Sequence, residues 1–307
     1  MRVEVQSGRD PGRTRGAVVA IGVFDGVHLG HQRLIAAAIR EASRRGLTSA
    51  ALTFEPDPQR VLHPAHASPP LISLAARVAL IRKLGVDGVC VAHFTRSFSR
   101  LSPTLFIERV LIERLRARCV VVGRNFCFGR DRRGDVAALR RLASAHGIAV
   151  VDVPPALRGG RPISSSRIRA CLLAGDVVSA NRLLGRPVQL AGTVVRGDGR
   201  ATRLGFPTAN LSIRDQLLPA NGVYAGWAHT RARRWPAVVN IGRRPTFGGT
   251  RVVCEAHLIG FHGSLYGREL RVDLLRRLRA ERAFSGAGAL TRQIARDVSR
   301  ARALLTR

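Results

Sequence analysis

A short apolar stretch that runs straight into a glycine-rich turn and then a helix constrains the fold of this chain more than any other feature. Residues 17–23 (AVVAIGV) predict a buried strand, and residues 31–45 predict an amphipathic helix. Gly22, Gly26 and Gly30 allow the backbone of the turn to approach a ligand closely. In open parallel sheets, ligands bind beyond the carboxyl ends of the strands. The turn is therefore predicted to lie at a ligand-binding edge.

Two histidines stand in this turn, where the helix begins. His28 and His31 would aim their imidazoles at one point, together with the unpaired backbone N–H groups of the first helical turn. The positive end of the helix dipole favours an anion at this place, which predicts phosphate binding. Taken alone, the two residues are also compatible with helix-capping histidines or with half of a metal site.

The first half of the chain alternates short apolar strands with amphipathic helices. This alternation is typical of an α/β fold with a doubly wound parallel sheet. The predicted strands are residues 17–23, 50–54, 88–92, 119–122 and 148–153, and the predicted helices are residues 31–45, 74–84, 103–115 and 136–146.

The pattern changes near Gly185. Short β-branched segments separated by Gly, Pro and Asn turns predict an antiparallel β-barrel, which a terminal helix closes. The predicted strands lie near residues 189–196, 222–229, 235–241, 251–259 and 268–275, and the helix spans residues 290–305. A chain of 307 residues exceeds the size at which a single core usually stops growing. We therefore expect two domains, residues 1–185 and 186–307.

The net charge of +31 favours anionic ligands such as ATP, but it does not by itself indicate a nucleic-acid-binding protein. The arginines are spread along the chain, and aromatic residues make up only 5%, so a nucleic-acid stacking surface is not predicted. No apolar run is long enough for a membrane span. Five scattered cysteines without a Cys-x-x-Cys pair, and the lack of a signal segment, predict a cytoplasmic protein with reduced thiols.

Six segments match, in order, the pattern of one enzyme family. They are GVFDGVHLGHQ at residues 22–32, TFEP at 53–56, VVGRNFCFG at 121–129, SSSRIR at 164–169, LGFPTAN at 204–210 and EAHL at 255–258. The series resembles the bacterial bifunctional riboflavin kinase/FMN adenylyltransferase family, also called FAD synthetase. The resemblance implies an N-terminal nucleotidyltransferase domain and a C-terminal riboflavin kinase barrel. It also implies that ATP and Mg²⁺ serve both reactions, with riboflavin and FMN as the flavin substrates.

In the first half, the resemblance places the phosphates of ATP against His28 and His31. Asn125, which stands where many family members have Asp, is expected to contact the nucleotide or the flavin. A serine cluster and an arginine that open a later helix are expected to form a second phosphate clamp, although an ordinary helix cap is equally compatible with the serines. The clamp consists of Ser164, Ser165, Ser166 and Arg167, of which Ser164, Ser165 and Arg167 are expected to be catalytic. The further ATP contacts are Gly22, Phe24, Asp25, Gly26 and Gly30.

In the second half, Thr208 and Asn210 are expected to hold Mg²⁺ and the ATP phosphates, because hydroxyl and amide oxygens are hard ligands that suit this ion. The resemblance implies that Glu255 accepts the proton of the terminal ribityl hydroxyl of riboflavin. A carboxylate beside an apolar strand segment is unusual, although an outward-facing strand residue is the simpler explanation. Arg279 and Phe284 are expected to line the flavin site.

One departure from the family pattern leaves the activity open. Residues 199–203 (GRATR) form the loop before the LGFPTAN segment, and Ala201 adopts a positive φ less readily than glycine, so we expect a different loop shape. A divergent relative that keeps only FMN adenylyltransferase activity fits this departure. The sequence is also compatible with an adenylyltransferase for another phosphorylated small molecule, and with a nucleic-acid-binding or regulatory protein on the same scaffold. An oligomer is compatible with each of these hypotheses.

Overall fold

The computed structural model describes residues 2–231, 233–246 and 249–305, and gives the backbone alone for residues 200, 243–246 and 249–251. Contacts divide the chain into two compact units, Met1–Ser165 and Ser166–Arg307. This division falls earlier than the domain limit expected after residue 185, and that limit stays a prediction.

The first unit contains a mixed six-stranded sheet with helices on both faces. Its strands are β1 (Val3–Gly8), β2 (Ala17–Ile21), β3 (Thr48–Glu55), β4 (Gly88–His93), β5 (Ala117–Gly123) and β6 (Ala149–Val153), and a short ribbon follows, β7 (Leu157–Arg158) and β8 (Arg161–Pro162). The order in the sheet is β1–β4–β3–β2–β5–β6. All neighbours are parallel except β1, which pairs antiparallel with β4.

The helices of this unit cover two apolar clusters, one on each face of the sheet. They are α1 (Leu29–Arg45), α2 (Pro58–Leu62), α3 (Leu74–Lys83), α4 (Arg96–Ser99), α5 (Pro103–Phe106), which a π-helical segment (Ile107–Arg114) continues, and α6 (Val136–Ser144); 3₁₀ turns span Pro11–Arg13, Pro64–His66 and Arg130–Arg132. In α1, Leu34, Ile35, Ala38 and Ala42 are buried, as their spacing predicts. All five residues of β2 are buried, which is typical of a central parallel strand.

The predicted doubly wound sheet is confirmed, with two corrections. β2 ends at Ile21 and not at residue 23, because the carbonyl of Val23 accepts hydrogen bonds from the side chains of Thr53 and Arg77 and is not paired in the sheet. The antiparallel edge strand β1 was not predicted, since its polar composition lacks the apolar run of the central strands.

The second unit is built on a closed antiparallel barrel, as predicted. Its elements are α7 (Ser165–Leu173), which begins at the last residue of the first unit, α8 (Val177–Leu184), β9 (Val188–Val195), α9 (Arg200–Arg203), β10 (Ala209–Ser212), β11 (Gly222–His229), β12 (Arg234–Thr246), β13 (Gly249–Leu258), β14 (Glu269–Arg279) and α10 (Ala287–Leu305). The barrel order is β10–β13–β12–β11–β14–β9. The terminal helix α10 packs Val298, Ala301 and Leu305 against apolar side chains of the barrel wall.

Two candidate active sites

The histidine turn lies at the switch point of the sheet in the first unit. β2 is central, with β3 on one side and β5 on the other, and the chain proceeds outward from β2 in both directions. Gly22 follows β2 directly, and Asn125 is exposed two residues after β5. Because β2 and β5 are parallel neighbours, their carboxyl ends bring Gly22 and Asn125 to one edge. This edge is where ligands bind in sheets of this type.

His28 caps the helix that follows it. Its Nδ1 accepts a hydrogen bond from the backbone N–H of His31 at 3.2 Å, so the capping role considered from the sequence is confirmed. The bond uses the lone pair of Nδ1, and the ring hydrogen of the neutral imidazole therefore sits on Nε2. A Cβ at Gly30 would lie 3.0 Å from Cε1 of His28, which explains the glycine at this position.

His31 is held as a neutral ring behind His28. The two imidazoles stack with their centroids 3.6 Å apart, and Phe24 meets His31 edge-on at 5.3 Å. Burial holds the pKa of His31 well below its usual 6.5, and the electrostatic influence of the neighbouring His28 and of Arg77 lowers it further. The buried Nδ1 of His31 has no hydrogen-bond partner among the described residues. His31 can thus offer a neutral ring to a phosphate, and not an imidazolium.

The backbone of the turn is strained. Phe24 has a φ of 54° and the β-branched Val27 a φ of 41°, and both are left-handed values that non-glycine residues rarely adopt. Such strain is typical of functional sites. The side chain of Phe24 is fully buried, so an ATP contact from this residue could come only from its backbone. The ring of Phe24 belongs to the core, and the expected ATP contact of this residue stays a prediction.

Part of the expected phosphate clamp is brought to the turn. The hydroxyl of Ser165 donates to the carbonyl of Asp25 at 2.9 Å. The Asp25 carboxylate is buried and accepts bonds from the backbone N–H of Leu71 at 2.9 and 3.1 Å. Asp25 is therefore a structural anchor for a loop. The roles of Ser164 and of Arg167, which belongs to the second unit, stay predictions.

Sequence reasoning missed a buried arginine beneath this site. Arg77 is 2% exposed, and its Nη1 donates to the carbonyl of Phe54 at 2.8 Å and to the hydroxyl of Thr53 at 3.2 Å. Its Nη2 donates to Glu55 at 2.9 Å. Because these partners end β3 and the same guanidinium reaches the carbonyl of Val23, Arg77 joins the ends of two strands. The sequence signal for this buried residue is an arginine within the apolar sequence of α3.

The second candidate site is a row of side chains across the barrel. Asn210 of β10 pairs with Glu255 of β13, and Glu255 pairs with Asn240 of β12. The row continues through Val223 to Arg279. Directly opposed residues point to the same face and lie about 5 Å apart. The geometry thus brings together three expected site residues, and it adds Asn240, which the sequence analysis assigned no role.

Glu255 faces away from the barrel interior, where Cys254 and Ala256 are buried on either side of it. The simpler explanation considered for this residue, an outward-facing strand position, therefore describes its orientation correctly. Burial raises the pKa of Cys254 to about 12, so this neighbour stays a thiol and leaves the chemistry to the carboxylate.

The loop before β10 is shaped to admit the Asn210 amide. A Cβ at Gly197 would lie 2.3 Å from Nδ2 of Asn210, so only glycine fits there without displacing the amide. Ala201 lies within the short helix α9, and the positive φ values fall on Gly199 and Gly205. The residue that departs from the family pattern therefore needs no left-handed backbone. Thr208 directly precedes β10 and is half-buried.

Comparison with known proteins matches each half of the chain to an enzyme family. The family model for FAD synthetase matches residues 10–167, and the family model for riboflavin kinase matches residues 184–305. A bifunctional riboflavin kinase/FMN adenylyltransferase from Pseudomonas fluorescens is 38% identical over 291 residues, which cover 94% of this chain and 93% of that protein. This chain belongs to the bifunctional riboflavin kinase/FMN adenylyltransferase family.

Other members of the family support the same assignment. The Escherichia coli K12 protein of this name is 36% identical over 288 residues, covering 94% of this chain and 92% of that protein. The Bacillus subtilis protein of this name is 37% identical over 287 residues, covering 92% and 90%. A solved structure from Streptococcus pneumoniae, described as a macrolide-efflux protein, matches with a TM-score of 0.87 at 29% identity, covering 95% of this chain and 97% of that one.

In the part of the present chain that the structure describes, none of the helices combines the length and apolar character needed to cross a membrane.

In this family member, the two residues expected at the flavin lie close together. Cζ of Arg279 lies 5.6 Å from the ring centroid of Phe284. Arg279 ends β14, and Phe284 follows in the connection to α10. Their contact with a flavin stays a prediction.

Proposed function

We propose that this chain phosphorylates riboflavin to FMN in its C-terminal barrel and transfers the adenylyl group of ATP to FMN in its N-terminal domain. FAD and pyrophosphate are the final products. The observation that carries this proposal is the placement of each family's signature residues in its own matched segment, with Asn210 and Glu255 as direct neighbours on the barrel.

For the adenylyl transfer, a phosphate oxygen of FMN attacks the α-phosphorus of ATP in line with the bond to pyrophosphate. The new P–O bond forms as the old one breaks, and pyrophosphate leaves with the electron pair. The Nε2–H of His28 donates to a phosphate oxygen on which negative charge develops, since its capping bond fixes the tautomer. The neutral ring of His31 supports His28 from behind at 3.6 Å.

For the kinase reaction, the Glu255 carboxylate accepts the proton of the terminal ribityl hydroxyl. The freed oxygen attacks the γ-phosphorus of ATP, and ADP leaves. The donor set fits Mg²⁺, because the Asn210 amide oxygen opposite Glu255 and the hydroxyl of Thr208, two residues earlier in the chain, are hard ligands that would hold the ion. When bound, the ion would neutralise charge on the phosphate oxygens of ATP.

We further propose a cytoplasmic enzyme that recognises small flavins and ATP and needs no nucleic acid. The five cysteines are free thiols, as expected in a reducing compartment. The basic residues, which are spread along the chain, raise the local concentration of anionic substrates without forming a continuous binding surface for a nucleic acid.

The test is an incubation of the purified protein with ATP and Mg²⁺, with riboflavin in one tube and FMN in another, followed by chromatography of the flavins. We expect FMN and FAD from riboflavin, and FAD from FMN. FAD from FMN without any product from riboflavin would show that the protein has FMN adenylyltransferase activity but no riboflavin kinase activity. The absence of product in both tubes would contradict the proposal.

A further inference from the structure

The connection between β14 and α10 is tied to the helix through charged side chains that the proposed reactions do not use. This connection, residues 280–286, carries Arg282 and Phe284. Two guanidinium groups lie against the Phe284 ring: Cζ of Arg279 is 5.6 Å from its centroid, and Cζ of Arg282 is 4.9 Å from it. Both distances are within the range of cation–π contacts.

Asp297 of α10 links these two arginines. It is 1% exposed, and both of its carboxylate oxygens accept hydrogen bonds at 2.9 Å, Oδ2 from Nε of Arg279 and Oδ1 from Nε2 of Gln293. Gln293 is also buried, and its Oε1 accepts a bond from Nη2 of Arg282. The side chains Arg282, Gln293, Asp297 and Arg279 thus form one continuous chain, which begins and ends at groups that contact Phe284.

A role in stability alone does not account for this arrangement. Removing a carboxylate from water is costly, and a buried ion pair seldom stabilises a fold more than apolar side chains of the same size. The helix already packs through its apolar face on the barrel. Asp297 does, however, fix a cation in the row of Glu255, because Arg279 pairs with Val223, Val223 with Asn240, and Asn240 with Glu255.

We propose that Asp297 is a positioning residue for riboflavin. It holds Arg279 directly and Arg282 through Gln293, and so it sets the place of both guanidinium groups around Phe284. An isoalloxazine ring offers a flat aromatic face and carbonyl acceptors, which a phenyl ring and guanidinium donors suit. The inference rests on the proposed kinase function and on the expected flavin role of Arg279 and Phe284. Because Asp297 is buried and both of its carboxylate oxygens are bonded to side chains of the protein, it acts on flavin binding and not on phosphoryl transfer.

The test uses the full chain with Asp297→Asn, which keeps the shape of the side chain and removes its charge. We expect the KM for riboflavin to rise about tenfold, with kcat and the KM for ATP changed by less than about twofold. Formation of FAD from supplied FMN reports on the folding of the first unit, and circular dichroism in urea reports on the folding of the whole chain, including the second unit that contains Asp297. Asp273→Asn is the matched control, because Asp273 also makes two side-chain hydrogen bonds in the barrel, with His229 and Gln189 at 2.8 Å each, away from this chain of contacts.

Two further variants separate positioning from structure. Because Asp297 acts partly through Arg279, the double variant Arg279→Gln/Asp297→Asn should raise the riboflavin KM by less than the product of the two single effects. Should Asp297→Asn fail to fold, Gln293→Met removes the bonds of Gln293 to Arg282 and to Asp297 but keeps the bond between Asp297 and Arg279, and we expect about a threefold rise in the riboflavin KM. An unchanged riboflavin KM in a folded variant, or equal losses in riboflavin and ATP affinity, would overturn the inference.

Binding of riboflavin, followed by quenching of its fluorescence, keeps the inference separate from the proposed function. A wild-type protein that makes no FMN but binds riboflavin more tightly than Asp297→Asn would defeat the kinase assignment and support the positioning role. A wild-type protein that makes FMN and binds riboflavin no better than the variant would support the kinase assignment and defeat the positioning role. Absence of riboflavin binding by the wild-type protein would overturn both.

Discussion

At the scale of single residues, both sites depend on short-range contacts within the chain that set the state of a side chain, a hydrogen bond in the first site and a glycine in the second. The capping bond of His28 fixes the hydrogen of its neutral ring on Nε2, and Gly197 leaves room for the amide of Asn210. The identities of His28, His31, Asn210 and Glu255 could be predicted from the sequence. Their tautomers and orientations could not, because these follow from contacts between residues that the spacing along the chain does not fix.

The depressed pKa of His31 makes a prediction about stability and pH. Burial, His28 and Arg77 keep the folded chain from protonating this ring. As the pH falls through about 6.5, the unfolded chain therefore takes up a proton that the folded chain does not, and the stability present above this pH is lost. His31→Gln removes the difference, so between about pH 7.5 and 5.5 its urea midpoint should fall less than that of the wild type. Circular dichroism measures both midpoints, and an equal fall in both would contradict the burial of a neutral His31.

Gly197 offers a second test at this scale. Alanine there would place a methyl group against the Asn210 amide, and we expect Gly197→Ala to lower kcat/KM of the kinase about 100-fold while the urea midpoint changes little. Gly288→Ala is the control, because the nearest atom to a Cβ at that position is a flexible arginine nitrogen at 3.6 Å. Full kinase activity in Gly197→Ala would show that the amide does not need this space.

At the scale of elements, the sequence predicts what periodicity and composition encode. The apolar strands, the amphipathic helices and the barrel segment at residues 222–229 are found where expected. The missed elements include β1, which is polar and joins an edge, β10, which is only four residues long and begins inside the LGFPTAN motif, and α8, which precedes the barrel without a clear boundary. The helix α7 is the one that the serine cluster was expected to open. β1 and β10 owe their structure to partner strands and not to a local pattern. α8 does carry local signals, with Asp176 as its N-cap and Gly185 as its C-cap.

The prediction about elements concerns Arg77, because its side chain joins α3 to the ends of β2 and β3. Arg77→Met would leave the carbonyl of Phe54 and the hydroxyl of Thr53 without their donor, and we expect the free energy of unfolding of the first unit to fall by about 2–3 kcal/mol. Residual FAD formation after incubation in urea reports on this unit. Lys83→Met is the control, because Lys83 is an exposed residue in the last turn of the same helix. Equal urea sensitivity of Arg77→Met and the control would contradict the bridging role.

At the scale of the whole molecule, two compact units carry two separate sets of reacting groups. The first unit holds the histidine turn, and the second holds the row of Asn210 and Glu255. The family models divide the chain in a similar way, at residues 10–167 and 184–305. A substitution that abolishes one reaction is therefore expected to leave the other intact, although the FMN made by the kinase is the substrate of the adenylyltransferase.

The most direct measurement of this claim compares His28→Ala and Glu255→Gln with the wild type, using chromatography of flavins after incubation with ATP and Mg²⁺. We expect His28→Ala to make FMN from riboflavin at the wild-type rate and to lose FAD formation by at least about 100-fold. Glu255→Gln should lose FMN formation by a similar factor and still convert supplied FMN to FAD. His146→Ala, an exposed histidine just after α6, should match the wild type in both. Loss of both activities in either variant, with the protein still folded, would contradict two separate sites.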